Sequence, residues 1–279
     1  MVAVHDLGGA GVPLLVSHAT GFHGRCYLPL AAALADHFHC TAFDYRGHGD
    51  TPQPDAPVDW ERYADDAQAV ASELVERHGA PIDAFGHSMG GACLLMVARR
   101  EPALFRRLVV FEPIVFPPGG LRPDAHGHDD PDSNPMVLAA RRRRAVFPSY
   151  QAAIDNYSAK PPLNGFTPEA MRAYVEYGFR EADDGVHLKC TPEVEAATFA
   201  TGSQHRTWDV LHLITTPTTV VSGRVQPFQP ATFAEPIARL LPHGTYLQFD
   251  DLDHFGPMTH PQQVAHIIID ALPHTPSLR

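Results

Sequence analysis

The segment GHSMGG, at residues 86–91, contains the residues best suited to chemistry. Gly86, Ser88 and Gly90 fit the pattern G-x-S-x-G, which places a serine on a tight turn between a strand and a helix. Small residues are needed beside the serine because the backbone of this turn packs closely. The N–H groups at the start of the following helix point to where negative charge develops when the serine attacks a carbonyl group. The pattern therefore predicts Ser88 as a nucleophile.

A serine nucleophile needs a general base that takes its proton. The segment DLDHFGPM places His254 in a loop after the last predicted strand and shortly before a C-terminal helix. His18, His243 and His260 are weaker candidates. His87 is next to the serine in the sequence, but on such a turn its side chain should point away. We therefore predict His254 as the base.

Alternating strands and helices must position these two residues. Short apolar runs predict strands at 13–19, 40–47, 82–87, 107–113, 217–224 and 245–251. Helical spacing is found at 28–38, 61–79, 92–101, 231–241 and 261–272. Gly79 is a suitable C-cap, and Pro102 stops the third of these helices. This alternation predicts βαβ units and a mostly parallel sheet.

The alternation is interrupted in the middle of the chain. Residues 117–134 are rich in Pro, Gly and Asp, which predicts a loop. From about residue 135 to 200 the sequence is typical of helices, with Thr167 before Pro168 as one helix start and no strong strand candidate. We therefore predict an α/β core in two parts, 1–116 and 207–279, separated by a helical insertion at 117–206 that exceeds ordinary loop length.

The chain resembles the α/β-hydrolase superfamily with a helical cap, and the resemblance covers most of its length. It rests on SHATGF after the first clear strand, FDYRGHG after the second, GHSMGG, and DHFGPMTHP near the end. It implies an α/β-hydrolase fold in which the insertion forms the cap. The family's order of nucleophile, acid and base along the chain supports His254. The family's oxyanion hole uses two N–H groups, which fall on Thr20, two residues beyond the loop histidine, and on Met89, directly after the nucleophile.

The acid of the triad is where the chain departs from the commoner family pattern. Many members carry an Asp after the strand that matches TTVVSG, but this chain has GRVQPFQP there, with Gln226 and no carboxylate. Loss of the acid from a working triad costs on the order of 10⁴ in turnover. Either the triad is degenerate, or the acid comes from the end of the preceding core strand, where some members of the family carry it. Glu112 lies there, in VVFEP, at the ligand-binding edge of the sheet. We predict Glu112, with Asp250, Asp251 and Asp253 as rivals that are more typical of turn residues.

Several other residues have predicted roles outside the triad. Asp44 in FDYRGHG matches a family position that supports a turn near the active site, and Arg46 and His48 are assigned to the same support.

One or two of Arg141–Arg144, a basic run on a predicted helix, could bind a substrate carboxylate, but most must be solvated or paired with acids. The segment HGHDD at 126–130 is explained better by a loop than by a metal site. Aromatic residues of the insertion either pack the cap against the core or line the substrate site: Phe147, Tyr150, Tyr157, Phe166, Tyr174, Tyr177 and Phe179.

Charge and composition exclude some classes of protein. The net charge of −11, with histidines counted as neutral, repels nucleic-acid phosphate, so no nucleic-acid partner is expected. There is no signal-peptide pattern and no apolar run long enough to span a membrane, which predicts by default a cytoplasmic protein without a membrane partner. The four cysteines form no CxxC pair, so neither a zinc site nor a disulfide framework is predicted. We expect a small-molecule substrate and no cofactor or metal, and a homo-oligomer is left open.

Together these residues predict acyl transfer to water on a small to medium, largely apolar carboxylic ester or lactone, through an acyl-enzyme. A carbon–carbon bond hydrolase or an acyltransferase on the same triad is an alternative, because substrate choice lies in the cap. A non-catalytic ligand receptor on the same fold is a second alternative. Gln226 favours the receptor, whereas an intact set of Ser88, His254 and Glu112 favours the enzyme.

Overall fold

The structure, a computed structural model, describes residues 1–53, 55–118, 134–227 and 229–273. Within these ranges the strands are β1 (Ala3–Gly8), β2 (Val12–Ser17), β3 (Phe38–Asp44), β4 (Ile82–His87), β5 (Phe105–Phe111), β6 (Val146–Phe147), β7 (Phe179–Ala182), β8 (Gly185–Leu188), β9 (Thr218–Ser222) and β10 (Gly244–Gln248). The α-helices are α1 (Leu28–Leu34), α2 (Trp60–His78), α3 (Met89–Arg100), α4 (Pro135–Arg141), α5 (Tyr150–Ser158), α6 (Pro168–Gly178), α7 (Pro192–Thr201), α8 (Thr207–Val210), α9 (Ala231–Leu240), α10 (Gly256–Thr259) and α11 (Pro261–Ala271). None of the helices described is both long and apolar enough to cross a membrane.

Seven strands form the central sheet, in the order β1-β3-β2-β4-β5-β9-β10. β1 pairs antiparallel with β3, and every other neighbouring pair is parallel. The carboxyl ends of β2, β4 and β5 therefore meet at one edge, which is where open α/β sheets bind their ligands. The prediction of an α/β-hydrolase fold with a mostly parallel sheet is confirmed.

Both faces of the sheet are buried. Leu14 and Val16 of β2 pack into a core with residues of α1, α11 and the insertion, whereas Leu15 packs on the opposite face with residues of α2, α3 and α9. Strands buried on both faces appear in the sequence as continuous apolar runs rather than as alternating patterns. This explains the apolar run of β2, because each side chain in it meets a helix layer.

The described part of the predicted insertion, called the cap below, packs against the core. It contains α4 to α7 and a three-stranded antiparallel sheet in the order β6-β8-β7. Trp60 Nε1 donates to the Thr198 carbonyl at 3.3 Å, and the Tyr63 hydroxyl lies 2.9 Å from Thr198 Oγ1. On the other side of the cap, His23 Nε2 donates to the Tyr174 carbonyl at 3.2 Å. Polar contacts to the core therefore fix the cap at two places.

Three features differ from the expectations. The edge strand β1 escaped prediction because it is half-exposed and mixes polar and apolar residues. The insertion is not wholly helical, because one short strand precedes α5 and two follow α6. The run Arg141–Arg144 is not one helix, since α4 ends at Arg141 and the chain turns into β6. Most of the predicted loop at 117–134, including residues 126–130, lies outside the described residues, and the boundaries at 116/117 and 206/207 remain predictions.

Candidate active site

Ser88 occupies the turn between β4 and α3, and its backbone is in a left-handed conformation with φ 56° and ψ −116°. A Cβ atom at Gly86 would lie 2.7 Å from the Cα of Gly91, closer than real Cβ contacts. A Cβ atom at Gly90 would overlap the carbonyl group of Ser17 in the strand alongside. The turn therefore forms only because the residues around the serine are glycines, which is the steric reason expected from the motif.

The structure brings Ser88, His254 and Glu112 into one chain of hydrogen bonds. Nδ1 of His254 lies 2.6 Å from Oε2 of Glu112, and Nε2 lies 3.1 Å from Oγ of Ser88. An ionised carboxylate can only accept, so Nδ1 carries the proton and donates it to Glu112. In a neutral imidazole Nε2 is then the acceptor, and it faces the serine hydroxyl. Glu112 is almost fully buried, whereas the side chain of His254 is 23% exposed and can meet a substrate.

Glu112 is held at both its backbone and its carboxylate. It follows β5 directly, and its main-chain N–H donates to the Val221 carbonyl at 2.9 Å. The N–H of Gly223 donates to Oε1 at 2.9 Å, which leaves Oε2 for His254. Among the described residues, Ser88 and Glu112 are the two non-glycine residues with positive φ, at 56° and 45°. Strain of this kind persists where the surroundings enforce it and concentrates at functional sites.

The rival carboxylates point elsewhere. Asp250, Asp251 and Asp253 are all exposed, as is Gln226 at the position of the commoner family acid. None of these four side chains reaches the imidazole of His254 among the hydrogen bonds of the described residues. The three aspartates accept from other groups: Asp250 from Gln248, Asp251 from Gln263, and Asp253 from the main chain of Phe255.

The two predicted oxyanion donors lie beside the nucleophile turn. Met89 is the first residue of α3, where main-chain N–H groups have no partner within the helix. Thr20 is buried in the loop after β2. Oγ of Ser17, at the end of β2, donates to the Gly90 carbonyl at 3.2 Å and so ties this loop to α3. The placement of Thr20 and Met89 is compatible with an oxyanion hole, and their role remains a prediction.

His18 shapes the loop that carries Thr20. Its Nε2 accepts from the Tyr45 N–H at 3.0 Å, so Nδ1 carries the proton and donates to the Ala19 carbonyl at 2.8 Å. Burial lowers the pKa of His18 to about 3, so the ring is neutral. His18 therefore orients the loop and is not a base for Ser88.

His87 and Tyr27 connect this loop to the loop of His254, a contact that sequence reasoning missed. His87 points away from the nucleophile, as expected. Its Nε2 donates to the main-chain carbonyl of His254 at 2.7 Å, and its Nδ1 accepts from the Tyr27 hydroxyl at 2.8 Å. The N–H of Ala19 donates to the same hydroxyl oxygen at 3.1 Å. Burial, together with the nearby His254, holds the pKa of His87 well below its usual value, so this bridge is neutral.

Aromatic side chains surround the site on the cap side. The ring of Phe255 lies 5.6 Å from that of His254, measured between centroids. Phe22 packs against Tyr174 at 5.2 Å and against Phe166 at 6.0 Å, both of which belong to the cap. Phe22, Phe166 and Tyr174 are buried, so these rings pack the cap against the loop after β2, and a role in lining the substrate site remains a prediction.

Asp44 lies in a hydrogen-bonded turn. Its carboxylate accepts from the main-chain N–H groups of Gly24 and Asp50, each at 2.7 Å, and from His5 at 2.8 Å. His5, Asp44 and Asp50 are close enough together to hold a cation. Because the Asp44 oxygens already accept these bonds, the arrangement fits the supporting role expected for this residue.

Comparison with known proteins identifies the family of the chain. The profile described as the alpha/beta hydrolase family matches residues 14–267, and the chain belongs to that family. The 2-(acetamidomethylene)succinate hydrolase of Mesorhizobium japonicum is 24% identical over 88% of this chain and 83% of its own. A non-heme chloroperoxidase of Streptomyces lividans is 28% identical over 82% of this chain and 79% of its own. The pimeloyl-[acyl-carrier protein] methyl ester esterase of Xanthomonas campestris is 24% identical over 96% of this chain and 99% of its own.

A solved structure shares the fold. The crystal structure of E-2-(acetamidomethylene)succinate hydrolase superposes with a TM-score of 0.76 and 21% identity, and it covers 97% of this chain and 98% of that one. The chain is therefore an α/β-hydrolase enzyme.

Proposed function

We propose that the protein is a serine hydrolase of small to medium carboxylic esters or lactones that acts through an acyl-enzyme on Ser88. The observation that carries the proposal is the hydrogen-bonded chain from Ser88 Oγ through His254 to Glu112. A nucleophile beside a base that is itself oriented by a third group is the arrangement that covalent acyl transfer requires. The aromatic side chains around the site favour an apolar portion in the substrate.

In the proposed mechanism, Ser88 Oγ attacks the ester carbonyl carbon while its proton moves to Nε2 of His254. The carbonyl oxygen becomes an oxyanion, which the N–H groups of Thr20 and Met89 stabilise, each by about 3 kcal/mol. Glu112 balances the imidazolium. The tetrahedral intermediate collapses, and His254 returns the proton to the departing alcohol. Water then attacks the acyl-enzyme with His254 as base, which releases the carboxylic acid and restores Ser88.

The test is hydrolysis of short p-nitrophenyl esters by the wild type, Ser88→Ala, Glu112→Gln and Asp253→Asn. Ser88→Ala should lose turnover. Glu112→Gln should fall by up to about 10⁴, because a neutral amide can neither fix the tautomer nor balance the imidazolium. Asp253→Asn is the matched control, since this exposed carboxylate bonds to the main chain of Phe255, and it should stay near wild type.

A fluorophosphonate label identifies the nucleophile independently of substrate choice. Mass spectrometry should find one adduct, on the peptide that contains Ser88, and none in Ser88→Ala. If the wild type hydrolyses no ester but still takes the label, ester hydrolysis is rejected. Carbon–carbon bond hydrolysis and acyl transfer are then the reactions to test. A wild type that takes neither ester nor label would overturn the whole proposal.

A further inference from the structure

A buried ion pair in the cap is not used by the mechanism above. Nη1 of Arg143, in the segment after α4, donates to Oε2 of Glu195 on α7 at 2.6 Å. The two side chains are only 15% and 11% exposed. Burial lowers the pKa of Arg143, but Glu195 and Tyr157 together raise it above its ordinary value, so the guanidinium remains charged.

This pair rests directly on the loop to which we assign an oxyanion donor. Gly21 follows Thr20 and has φ 75°. A Cβ atom at Gly21 would overlap the Glu195 carboxylate and lie 3.4 Å from Nη1 of Arg143. The ion pair of the cap therefore lies close to the backbone of Gly21, next to Thr20, with the Glu195 carboxylate nearer to that backbone than the Arg143 guanidinium.

Aromatic rings fix the position of the guanidinium. Its central carbon lies 5.4 Å from the ring centroid of Tyr157 and 5.6 Å from that of Tyr174, within range for cation–π attraction. Tyr174 also packs against Phe22, whose ring lies 6.4 Å from that of His87. Arg143 is thus connected through packed aromatic rings to His87, the residue next to Ser88 in the chain.

Stability alone is a weak reason for such a pair. Removing two charges from water costs several kcal/mol per ion, and well-packed apolar side chains often serve as well or better. An arginine has five N–H donors in a planar fork, and hydrogen bonds to Glu195 and to the Tyr157 hydroxyl, the latter at 3.5 Å, use two of them. The remaining donors suit a second carboxylate, which arginine binds in a two-pronged geometry.

We propose that Arg143 binds a free carboxylate of the substrate, and that Glu195 is a positioning residue that holds the guanidinium toward the loop after β2. The proposal rests on the ester hydrolysis proposed above and specifies its substrate class. The substrate is a half-ester that carries one scissile acyl group and one anionic carboxylate. A local cation is needed for such a substrate, because the net charge of −11 repels anions at long range.

The first experiment compares half-esters with neutral esters of matched length. Proton release is measured for the monoethyl esters of succinate, glutarate and adipate and for ethyl butyrate, pentanoate and hexanoate. In the wild type, kcat/KM should favour at least one half-ester over its neutral partner. Arg143→Gln should reduce this ratio by about tenfold or more, mainly through KM, and Arg143→Lys should retain part of it.

Two further variants make the result specific. Arg142→Gln removes the same charge one residue earlier, at an exposed position, and should leave the ratio unchanged. Arg143→Gln leaves Glu195 buried without its cation, which can prevent folding. The double variant Arg143→Gln with Glu195→Gln removes both charges and should show the same loss of the ratio. A wild type without preference for half-esters, or an equal preference in Arg143→Gln, would overturn the proposal.

A binding measurement separates this inference from the proposed hydrolysis. The binding of glutarate is measured by titration calorimetry in Ser88→Ala and in the double variant Ser88→Ala with Arg143→Gln. This measurement needs no turnover. If esters are not hydrolysed but glutarate binding depends on Arg143, the carboxylate site stands and the proposed reaction fails. If esters are hydrolysed but Arg143→Gln changes neither glutarate binding nor the preference for half-esters, only the proposed carboxylate site is rejected.

Discussion

Nε2 of His87 donates a hydrogen bond of 2.7 Å to the main-chain carbonyl oxygen of His254. Two residues on different loops are thereby held together, one next to the proposed nucleophile and the other the proposed base. The Tyr27 hydroxyl extends the contact to Ala19 on the loop that carries Thr20. Three loops from distant parts of the chain are thus fixed relative to one another by neutral groups that do not take part in the proposed proton transfer.

Replacement of His87 should disturb the position of His254. In His87→Leu the buried carbonyl of His254 loses its donor, which should cost about 1–3 kcal/mol of folding free energy. The imidazole then becomes less constrained, and a misplacement of about 1 Å can cost about 10² in rate. Urea unfolding and kcat on a p-nitrophenyl ester check the two effects.

A conservative variant separates positioning from general destabilisation. His87→Gln keeps an N–H donor near the position of Nε2, and it should recover most of kcat relative to His87→Leu. Equal values of kcat in His87→Leu and the wild type, despite a loss of stability, would show that this hydrogen bond serves folding alone.

Gly90 should tolerate no side chain. A Cβ atom there would overlap the Ser17 backbone, which belongs to β2 in the middle of the sheet and cannot move aside. Gly90→Ala should therefore lose about 2 kcal/mol or more in the free energy of unfolding, measured in urea. Gly165→Ala is the control, because its Cβ would meet only Thr259 Cγ2, at 3.4 Å, in an exposed turn. Similar stabilities of the two variants would contradict this steric account of the motif.

Much of the fold and of the candidate site could be predicted from local sequence. Ser88 lies in a motif in which Gly86 is explained by contacts within the turn and Gly90 by its contact with Ser17 of the neighbouring strand β2. Glu112 was predicted because a strand end places a side chain at the ligand-binding edge, and the structure puts its carboxylate 2.6 Å from His254. The catalytic roles of these residues remain to be tested by the variants above.

The features that could not be predicted depend on contacts between distant parts of the chain. Arg143 resembles its arginine neighbours in the sequence, and what distinguishes it is its burial, its ion pair with Glu195, 52 residues away, and its contacts with the rings of Tyr157 and Tyr174. The bond between His87 and His254 spans 167 residues and involves a main-chain oxygen, which leaves no side-chain signature. The short strands of the cap escaped detection because two to four residues carry too little periodicity.

Acid should destabilise the protein through its buried histidines. Burial lowers the pKa of five of them: His18, His23, His48, His87 and His205. Above about pH 6.5 these groups are neutral in both states and have no effect. Below it the unfolded chain binds protons that the folded chain does not, so stability falls by about 1 kcal/mol per pH unit for each histidine. For His23 and His205 the fall ends near their folded pKa values of about 4.

One histidine can be removed to test this account. His205→Phe keeps a ring to stack on Trp60, where the centroids lie 4.8 Å apart. Its free energy of unfolding should fall less steeply than that of the wild type between pH 6.5 and 4.5. The slope against pH should be smaller by about the amount that the uptake of one proton contributes. His266→Gln, at an exposed position on α11, is the control and should follow the wild type. A His205→Phe slope as steep as that of the wild type would mean that His205 does not contribute to acid unfolding.

Thiol reagents should leave the enzyme active. Cys26, Cys40, Cys93 and Cys190 are free and buried, and burial raises the pKa of each thiol, to about 12 for Cys40 and Cys93. Because the thiolate is the reactive form, iodoacetamide should alkylate none of them in the folded protein at neutral pH and all four after unfolding in urea. Ester turnover should survive this treatment but disappear on reaction with a fluorophosphonate. If activity instead declined in step with alkylation of the folded protein, a cysteine would be needed at the reacting centre, and the assignment of Ser88 as the nucleophile would be wrong.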